Sequence, residues 1–130
     1  MPDEKKSPPD IHREIEEDFA SLYANNVMYE SSVWDLKLIF GQLDQNLLTA
    51  GDGHTVDYHT AITLPWSTVK SMVYYLRINL AAHEAEAGPV KLPARILPDR
   101  PSVLGDNPAT KAAVEAMCKI WDEEVGPSQS

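Results

Sequence analysis

Polar and apolar residues alternate along residues 33–43, and this alternation predicts a β-strand. Because successive side chains of a strand point to opposite faces, we expect four apolar residues to share one face: Trp34, Leu36, Leu38 and Phe40. The preceding residues 20–31 are rich in Tyr, Val and Met and predict another strand. Residues 30–32 favour a turn through side-chain hydrogen bonds to the backbone. The polar cluster is therefore interpreted as the turn of a hairpin rather than as an active site.

A third alternating segment, residues 55–64, predicts one more strand. Its expected common face consists of Val56, Tyr58, Thr60, Ile62 and Leu64. Pro65 ends the strand and suits the start of a helix over about residues 66–86. The apolar stripe of that helix consists of Val69, Met72, Val73, Leu76 and Leu80. The sequence predicts an α+β fold, in which one long helix packs on an antiparallel meander of three to four strands.

The flanking segments differ in composition from this core. Residues 1–17 are charged and proline-containing and predict a disordered tail, followed by a β-β-β-α core domain over 18–88. Four prolines mark residues 89–107 as an extended arm lying on a surface. Pro108 then begins a C-terminal helix over 108–125, and residues 126–130 are predicted to be disordered.

Charge excludes several classes of function. The chain of 130 residues has 20 acidic and 11 basic residues, giving a net charge of −9. Phosphate backbones and anionic membrane surfaces repel such a chain, so we expect neither nucleic-acid nor membrane binding. No apolar window is long enough for a membrane span, and no signal peptide is recognisable. The single cysteine, Cys118, cannot form an internal disulfide, which favours a reducing, cytoplasmic location.

No complete catalytic constellation is present in the sequence. Asp57 and His59, with His54 just before them, could hold a metal ion or form an acid–base pair, but a closed metal site needs more ligands. The pair His83-Glu84 lacks the second histidine of a zinc protease motif. Ser31 and Ser32 lack a nucleophile elbow. We therefore expect no catalytic residues, no metal and no cofactor, and a metal-dependent or acid–base enzyme using Asp57 and His59 stays the alternative.

Several short motifs resemble one known family. They are Tyr23-Ala24-Asn25, Asp35, Phe40-Gly41, the segment 59–65 ending in proline, and the segment 83–88 ending in glycine. In residues and spacing, about residues 22–90 are similar to an uncharacterised family of small bacterial proteins, domain of unknown function thirty-four sixty-seven. His83 stands where that family favours Tyr, Val33 where it often has Pro, and Asn26 where it has an apolar residue. The resemblance implies the fold, but no activity and no catalytic residues.

The order of elements is also similar to that of the bacterial export chaperone SecB, at the level of topology alone. Apolar residues on the second face of the hairpin predict an interface, which we assign to Tyr23, Val27, Tyr29, Val33 and Ile39. We expect a non-catalytic protein-binding or assembly module that forms a homodimer or homotetramer. Its partner beyond itself would be another protein or an extended polypeptide, as in SecB-like chaperone binding. Two alternatives stay open: the arm or the last helix covers this face, or the chain is a structural subunit of a larger bacterial assembly.

Overall fold

The computed structural model describes residues 9–43, 55–93, 97–102 and 108–129. It confirms the α+β class, with three strands followed by a long helix and a C-terminal helix. The strands are β1 (Asn26–Ser31), β2 (Asp35–Leu43) and β3 (Val56–Pro65); the helices are α1 (Trp66–Ala87) and α2 (Pro108–Glu124). The chain divides into two compact units, Met1–Ser71 and Met72–Ser130, and the division falls within α1. Residues 44–54, which connect β2 and β3 in the chain, lie outside the described residues.

The first unit contains an antiparallel sheet in the order β1-β2-β3. Directly opposed residues of an antiparallel pair share a face, so the register assigns each side chain to one side. Leu38 pairs with Tyr29 on β1 and with Ile62 on β3. The apolar face of the sheet therefore consists of Val27, Tyr29, Leu36, Leu38, Phe40, Ile62 and Leu64. Leu38, at its centre, is 6% exposed.

A β-bulge changes the predicted face of the third strand. Phe40 pairs with Thr60, but the next residue, Gly41, pairs with Tyr58, so His59 is the extra residue. The bulge reverses the alternation, and Tyr58 lies on the face opposite to Thr60 and Ile62. The prediction that Val56 and Tyr58 share the face of Ile62 is therefore wrong.

Gly41 permits this irregular pairing because it has no side chain. A Cβ at this position would lie 2.7 Å from the Asp57 carbonyl oxygen and 2.8 Å from Tyr58 Cδ1. The Tyr58 ring thus lies over Gly41, and its hydroxyl donates a hydrogen bond to Asn26 Oδ1 at 3.3 Å. Tyr58 therefore links all three strands across the position of the glycine.

The hairpin turn lies later than predicted, at Ser32–Asp35. The Ser32 amide donates to the Asp35 carbonyl at 2.9 Å, which leaves Val33 and Trp34 at the tip. Ser32 Oγ accepts from the amides of Trp34 and Asp35 and donates to Asp35 Oδ1 at 2.9 Å. Trp34 is 82% exposed, so the prediction that it lies on the core face with Leu36 is wrong. Because Ser32 hydrogen-bonds to the local backbone, the turn extends to Asp35, and the alternating pattern of β2 begins only there.

The second unit contains most of α1, together with the arm and α2. Gly88 has φ +87° and donates its amide to the Glu84 carbonyl at 2.9 Å, which ends α1 as the sequence predicted. After α2, Gly126–Gln129 form a short 3-10 helix, although the sequence predicted disorder there. Ser128 Oγ in that turn accepts the Leu92 amide at 2.9 Å, so the described arm residues contact the C-terminal part of their own chain.

Candidate functional site

The sheet presents apolar side chains to solvent on the face around Leu38. Tyr29 is 66% exposed and Ile62 is 47% exposed, although both pair with the buried Leu38. Monomeric proteins rarely expose contiguous apolar patches of large side chains unless those patches bind something. The apolar face of the sheet is therefore a candidate binding surface.

The predicted interface residues do not share one face. Val27 and Tyr29 lie on the apolar face of the sheet, opposite Phe40 and Leu38. Ile39 pairs with Met28 and points to the other side. Tyr23 precedes β1, and Val33 lies in the hairpin turn, where both are exposed. The structure thus brings together two of the five and adds Ile62, whose position the sequence pattern did show.

Helix α1 carries the largest set of exposed apolar side chains. None of its 22 residues is buried. The predicted stripe that includes Val73, Leu76 and Leu80 is exposed, with Leu76 at 57%. A second apolar stripe lies on the opposite side of the helix, since residues two positions apart point in nearly opposite directions. Its members are Tyr74, Tyr75 and Ile78, which are also exposed.

The two stripes make α1 apolar on both sides, and such helices are normally buried within a larger structure. The Tyr74 and Tyr75 rings meet edge to face, with centroids 5.2 Å apart, and both remain exposed. Although the chain has 20 acidic residues, none occurs between Trp66 and His83. The middle of α1 is therefore a continuous apolar surface without negative charge in a strongly acidic protein.

The histidine of the alternative enzyme hypothesis has a structural role. His59 Nε2 lies 3.0 Å from the Tyr23 carbonyl oxygen, and Nδ1 lies 2.8 Å from Thr60 Oγ1. A neutral imidazole satisfies both contacts when Nε2–H donates and Nδ1 accepts the Thr60 hydroxyl proton. Neither nitrogen is then free for a metal or for a substrate proton. Within the described ranges, no three His, Cys, Asp or Glu residues lie together as metal ligands; His54 lies outside those ranges.

The remaining motif residues also complete the sheet. The Asn25 side chain accepts the Leu43 amide on Oδ1 at 2.6 Å, and its Nδ2 donates to the Leu43 carbonyl at 3.5 Å. The Asn25 side-chain amide thus takes the place of a backbone peptide just before the first residue of β1. This substitution explains why β1 begins at Asn26 rather than at residue 20 as predicted. The Ser32 hydroxyl makes its hydrogen bonds within the hairpin turn.

A third surface is the side of α2 that the arm contacts. The Trp121 indole donates to the Pro98 carbonyl at 2.9 Å, and Cys118 Sγ donates to the Pro101 carbonyl at 3.1 Å. Arg100 makes two hydrogen bonds to the carboxylate of Asp122, at 3.1 and 3.2 Å. The hydrogen bond from Arg100, together with its charge, lowers the pKa of the Asp122 carboxyl. Cys118 is half-buried there.

No family model, no curated protein and no solved structure matches this chain. Among the helices of the described part of the chain, none is long and apolar enough to cross a membrane. The candidate binding surfaces are therefore three: the apolar face of the sheet, the two stripes of α1, and the arm side of α2.

Proposed function

We propose that this protein is a non-catalytic binding module that acts as a homo-oligomer assembled through α1. The observation that carries the proposal is the exposure of both apolar stripes of the helix, from Val73 to Leu80. Burying such side chains contributes about 25 cal/mol for each Å² of apolar surface removed from water. A helix with two apolar sides has a reason to pack against more than one neighbour.

A second copy of the chain is the favoured cover for α1. Symmetric self-association is the common assembly of soluble proteins, and it places identical surfaces opposite each other. Self-association of a chain with net charge −9 requires an interface without clustered negative charge. The residues between Trp66 and His83 meet this requirement, since their only formal charges are Lys70 and Arg77.

The apolar face of the sheet is proposed to hold an extended segment of another polypeptide. In the order β1-β2-β3, each outer strand has a neighbour on one side in the described residues, so the other edge can accept an additional strand. Tyr29 and Ile62 flank Leu38 and provide exposed apolar contacts for alternate side chains of a bound segment. This activity is of the SecB-like chaperone class that the element order suggested.

Light scattering after gel filtration tests the assembly. We expect a dimer or tetramer at micromolar concentration. Replacing Tyr75 and Ile78 by Glu should yield a monomer, because each carboxylate would have to be desolvated within the interface. Arg77→Lys, an exchange on the same helix that keeps the positive charge, is the matched control and should leave the oligomer intact. A wild-type protein that is strictly monomeric would contradict the proposal.

Binding of a permanently unfolded, fluorescently labelled polypeptide tests the proposal that the apolar face of the sheet holds an extended segment. The wild type should bind it, and Tyr29→Ser with Ile62→Ser should weaken binding without changing the oligomeric mass. Exchange of the half-exposed Lys37 to Gln on the other face provides the control. Equal binding by all three proteins would remove the apolar face of the sheet from consideration.

The two alternatives have less support from specific contacts. A metal-dependent or acid–base enzyme based on Asp57 and His59 would need a histidine nitrogen that is not already hydrogen-bonded. A structural subunit that reaches a neighbour with its arm would need that arm free, whereas Pro98, Arg100 and Pro101 contact their own α2. A homo-oligomeric binding module requires neither a free histidine nitrogen nor a free arm.

A further inference from the structure

The arm presents a proline motif to α2. Pro98, Asp99, Arg100 and Pro101 form the sequence P-x-R-P, and residues 97–102 have no helix or strand. Proline fixes its own φ at about −65° and biases the preceding residue towards extended conformations. The carbonyl groups of such a segment have no partners from secondary structure, so they are available to side-chain donors on another element.

The side of α2 that faces the motif supplies matching groups. Cys118, Trp121 and Asp122 are three and four residues apart and therefore lie on one side of the helix. Trp121 and Cys118 donate to the two proline carbonyls, and Asp122 receives two hydrogen bonds from the intervening arginine. Both proline carbonyls and the arginine guanidinium of P-x-R-P thus have a partner on this side of α2, which we name the α2 docking face.

An indole N–H that binds a carbonyl, combined with a carboxylate that binds an arginine, constitutes recognition chemistry for proline-rich segments. Such segments dock on aromatic surfaces, because their extended backbone loses little conformational entropy on binding. We propose that the α2 docking face is a binding site for P-x-R-P segments of another polypeptide, and that the chain's own arm occupies it as an intramolecular competitor. The site goes beyond the proposed function, since it uses neither α1 nor the apolar face of the sheet.

The contacts that hold the arm are suited to exchange. The side chains of Arg100 and Asp122 are both more than half exposed, and exposed ion pairs contribute little to stability. The arm nevertheless competes well with dilute ligands, since a short tether gives an effective concentration on the order of millimolar. An incoming segment therefore binds well only when it matches the docking face better than the arm does or when the arm is weakened.

The test uses the full chain and a fluorescent synthetic peptide containing residues 97–102. Arg100→Ala weakens the arm and leaves the α2 docking face unchanged. If the arm occupies its site nine-tenths of the time, this variant should bind the peptide more tightly than the wild type, by up to about tenfold at complete release of the arm, as measured by fluorescence anisotropy. Adding Asp122→Asn to Arg100→Ala should reverse the gain, because the carboxylate that recognises the peptide's arginine is then absent.

Cys118 provides an independent readout, since it is the only cysteine of the chain. Its thiol donates to the arm at Pro101, so release of the arm should accelerate its reaction with an aromatic disulfide reagent. The reaction should be faster in Arg100→Ala and should slow again when the peptide is added. Light scattering on the same samples separates this result from assembly through α1, which the variant does not touch.

Two controls define the specificity. A peptide with both prolines changed to alanine should bind Arg100→Ala poorly, and so should a peptide lacking the arginine. If Arg100→Ala fails to fold by circular dichroism, Pro98→Ala weakens the arm in its place. Binding of the alanine peptide as tightly as the P-x-R-P peptide would overturn the proposal, as would equal peptide affinity of the wild type and the folded arm variant.

Discussion

β2 and α1 are both rich in large apolar residues, but they differ in how much of them is covered. β2 has a neighbouring strand on each side, and its central residue Leu38 is 6% exposed. α1 is more than twice as long and has no buried residue. On the sheet, by contrast, the exposed Tyr29 and Ile62 flank a buried apolar residue.

The difference follows from how each element satisfies its backbone. A strand cannot pair its N–H and C=O groups without neighbours, so a folded sheet necessarily brings cross-strand side chains together. A helix satisfies its backbone internally and can form while its side chains remain in water. Apolar surface that a chain reserves for a partner is therefore more readily placed on a helix such as α1 than on a central strand such as β2.

The largest expected effect is a difference between α1 and β2 in the hydrogen exchange of their backbone amides. If α1 is covered by a second copy, its amide protection should rise with protein concentration, by about 2.7 kcal/mol, or roughly a hundredfold, at a hundred times the dissociation constant. Protection of β2 should depend less on concentration, since strands of the same chain pair with it. Hydrogen exchange measured by mass spectrometry at several protein concentrations gives the protection of α1 and of β2 in the same experiment. Equal concentration dependence in α1 and β2 would remove the contrast.

Gly41→Ala adds a side chain at a position where β3 leaves no room for one. The new methyl group would lie 2.7 Å from the Asp57 carbonyl and 2.8 Å from the Tyr58 ring, so β2 and β3 must separate locally. Overpacking of this kind costs about 1–3 kcal/mol. Urea denaturation followed by circular dichroism measures the loss. Gly126→Ala is the control, because a Cβ there would approach nothing closer than 3.8 Å; equal losses in the two variants would contradict the role of Gly41.

Asn25→Ala removes the side-chain amide that continues the pairing beyond β1. Two hydrogen bonds to the Leu43 backbone are lost, and water replaces them in part because the site is exposed. We expect a loss of about 1 kcal/mol in the free energy of unfolding. Asn25→Asp is the informative comparison, since it keeps the acceptor for the Leu43 amide and loses the donor. A variant with Asp that is no more stable than the one with Ala would show that the 2.6 Å contact contributes nothing.

The strands and helices were predictable because each has a local periodic signal. The alternation of β2 and the Pro65 and Gly88 boundaries of α1 appear directly in the chain, and the structure confirms them. The side of the sheet to which each strand residue points was predictable only where the alternation of polar and apolar residues is unbroken. The bulge at His59 requires a residue without a side chain at Gly41, two positions from the end of β2, and nothing in the spacing of β3 alone marks it.

The candidate surfaces were harder to predict than the fold. Val27 and Tyr29 were assigned to the face of Ile39, because the turn was placed at residues 30–32 and the parity of β1 relative to β2 depends on where the turn lies. The second stripe of α1 was visible in Tyr74, Tyr75 and Ile78, at helical spacing. The contacts of the arm with α2 join residues more than 15 positions apart and have no local signature.

Acid should release the arm from α2, with the smallest effect of the four. The pKa of the Asp122 carboxyl is lowered in the folded chain, first by the hydrogen bond from Arg100 and further by its charge, while burial acts in the opposite direction. A carboxyl with a lowered pKa stabilises the folded contact above its unfolded pKa. That stabilisation is lost as the pH falls through the folded value.

The Trp121 indole proton reports the release, because it donates to Pro98 in the docked arm. Its NMR signal, assigned with Trp34→Phe and Trp66→Phe, should move towards that of a solvated indole as the pH falls below the ordinary range of an aspartate. The groove lined by Arg100 and Asp122 also contains Glu115, Lys119 and Cys118, so the change must be assigned to Asp122 by substitution. Asp122→Asn should not show this acid transition, since a neutral amide does not titrate. An identical acid transition in Asp122→Asn would assign the effect to another group, and the arm would then be held by its carbonyl contacts alone.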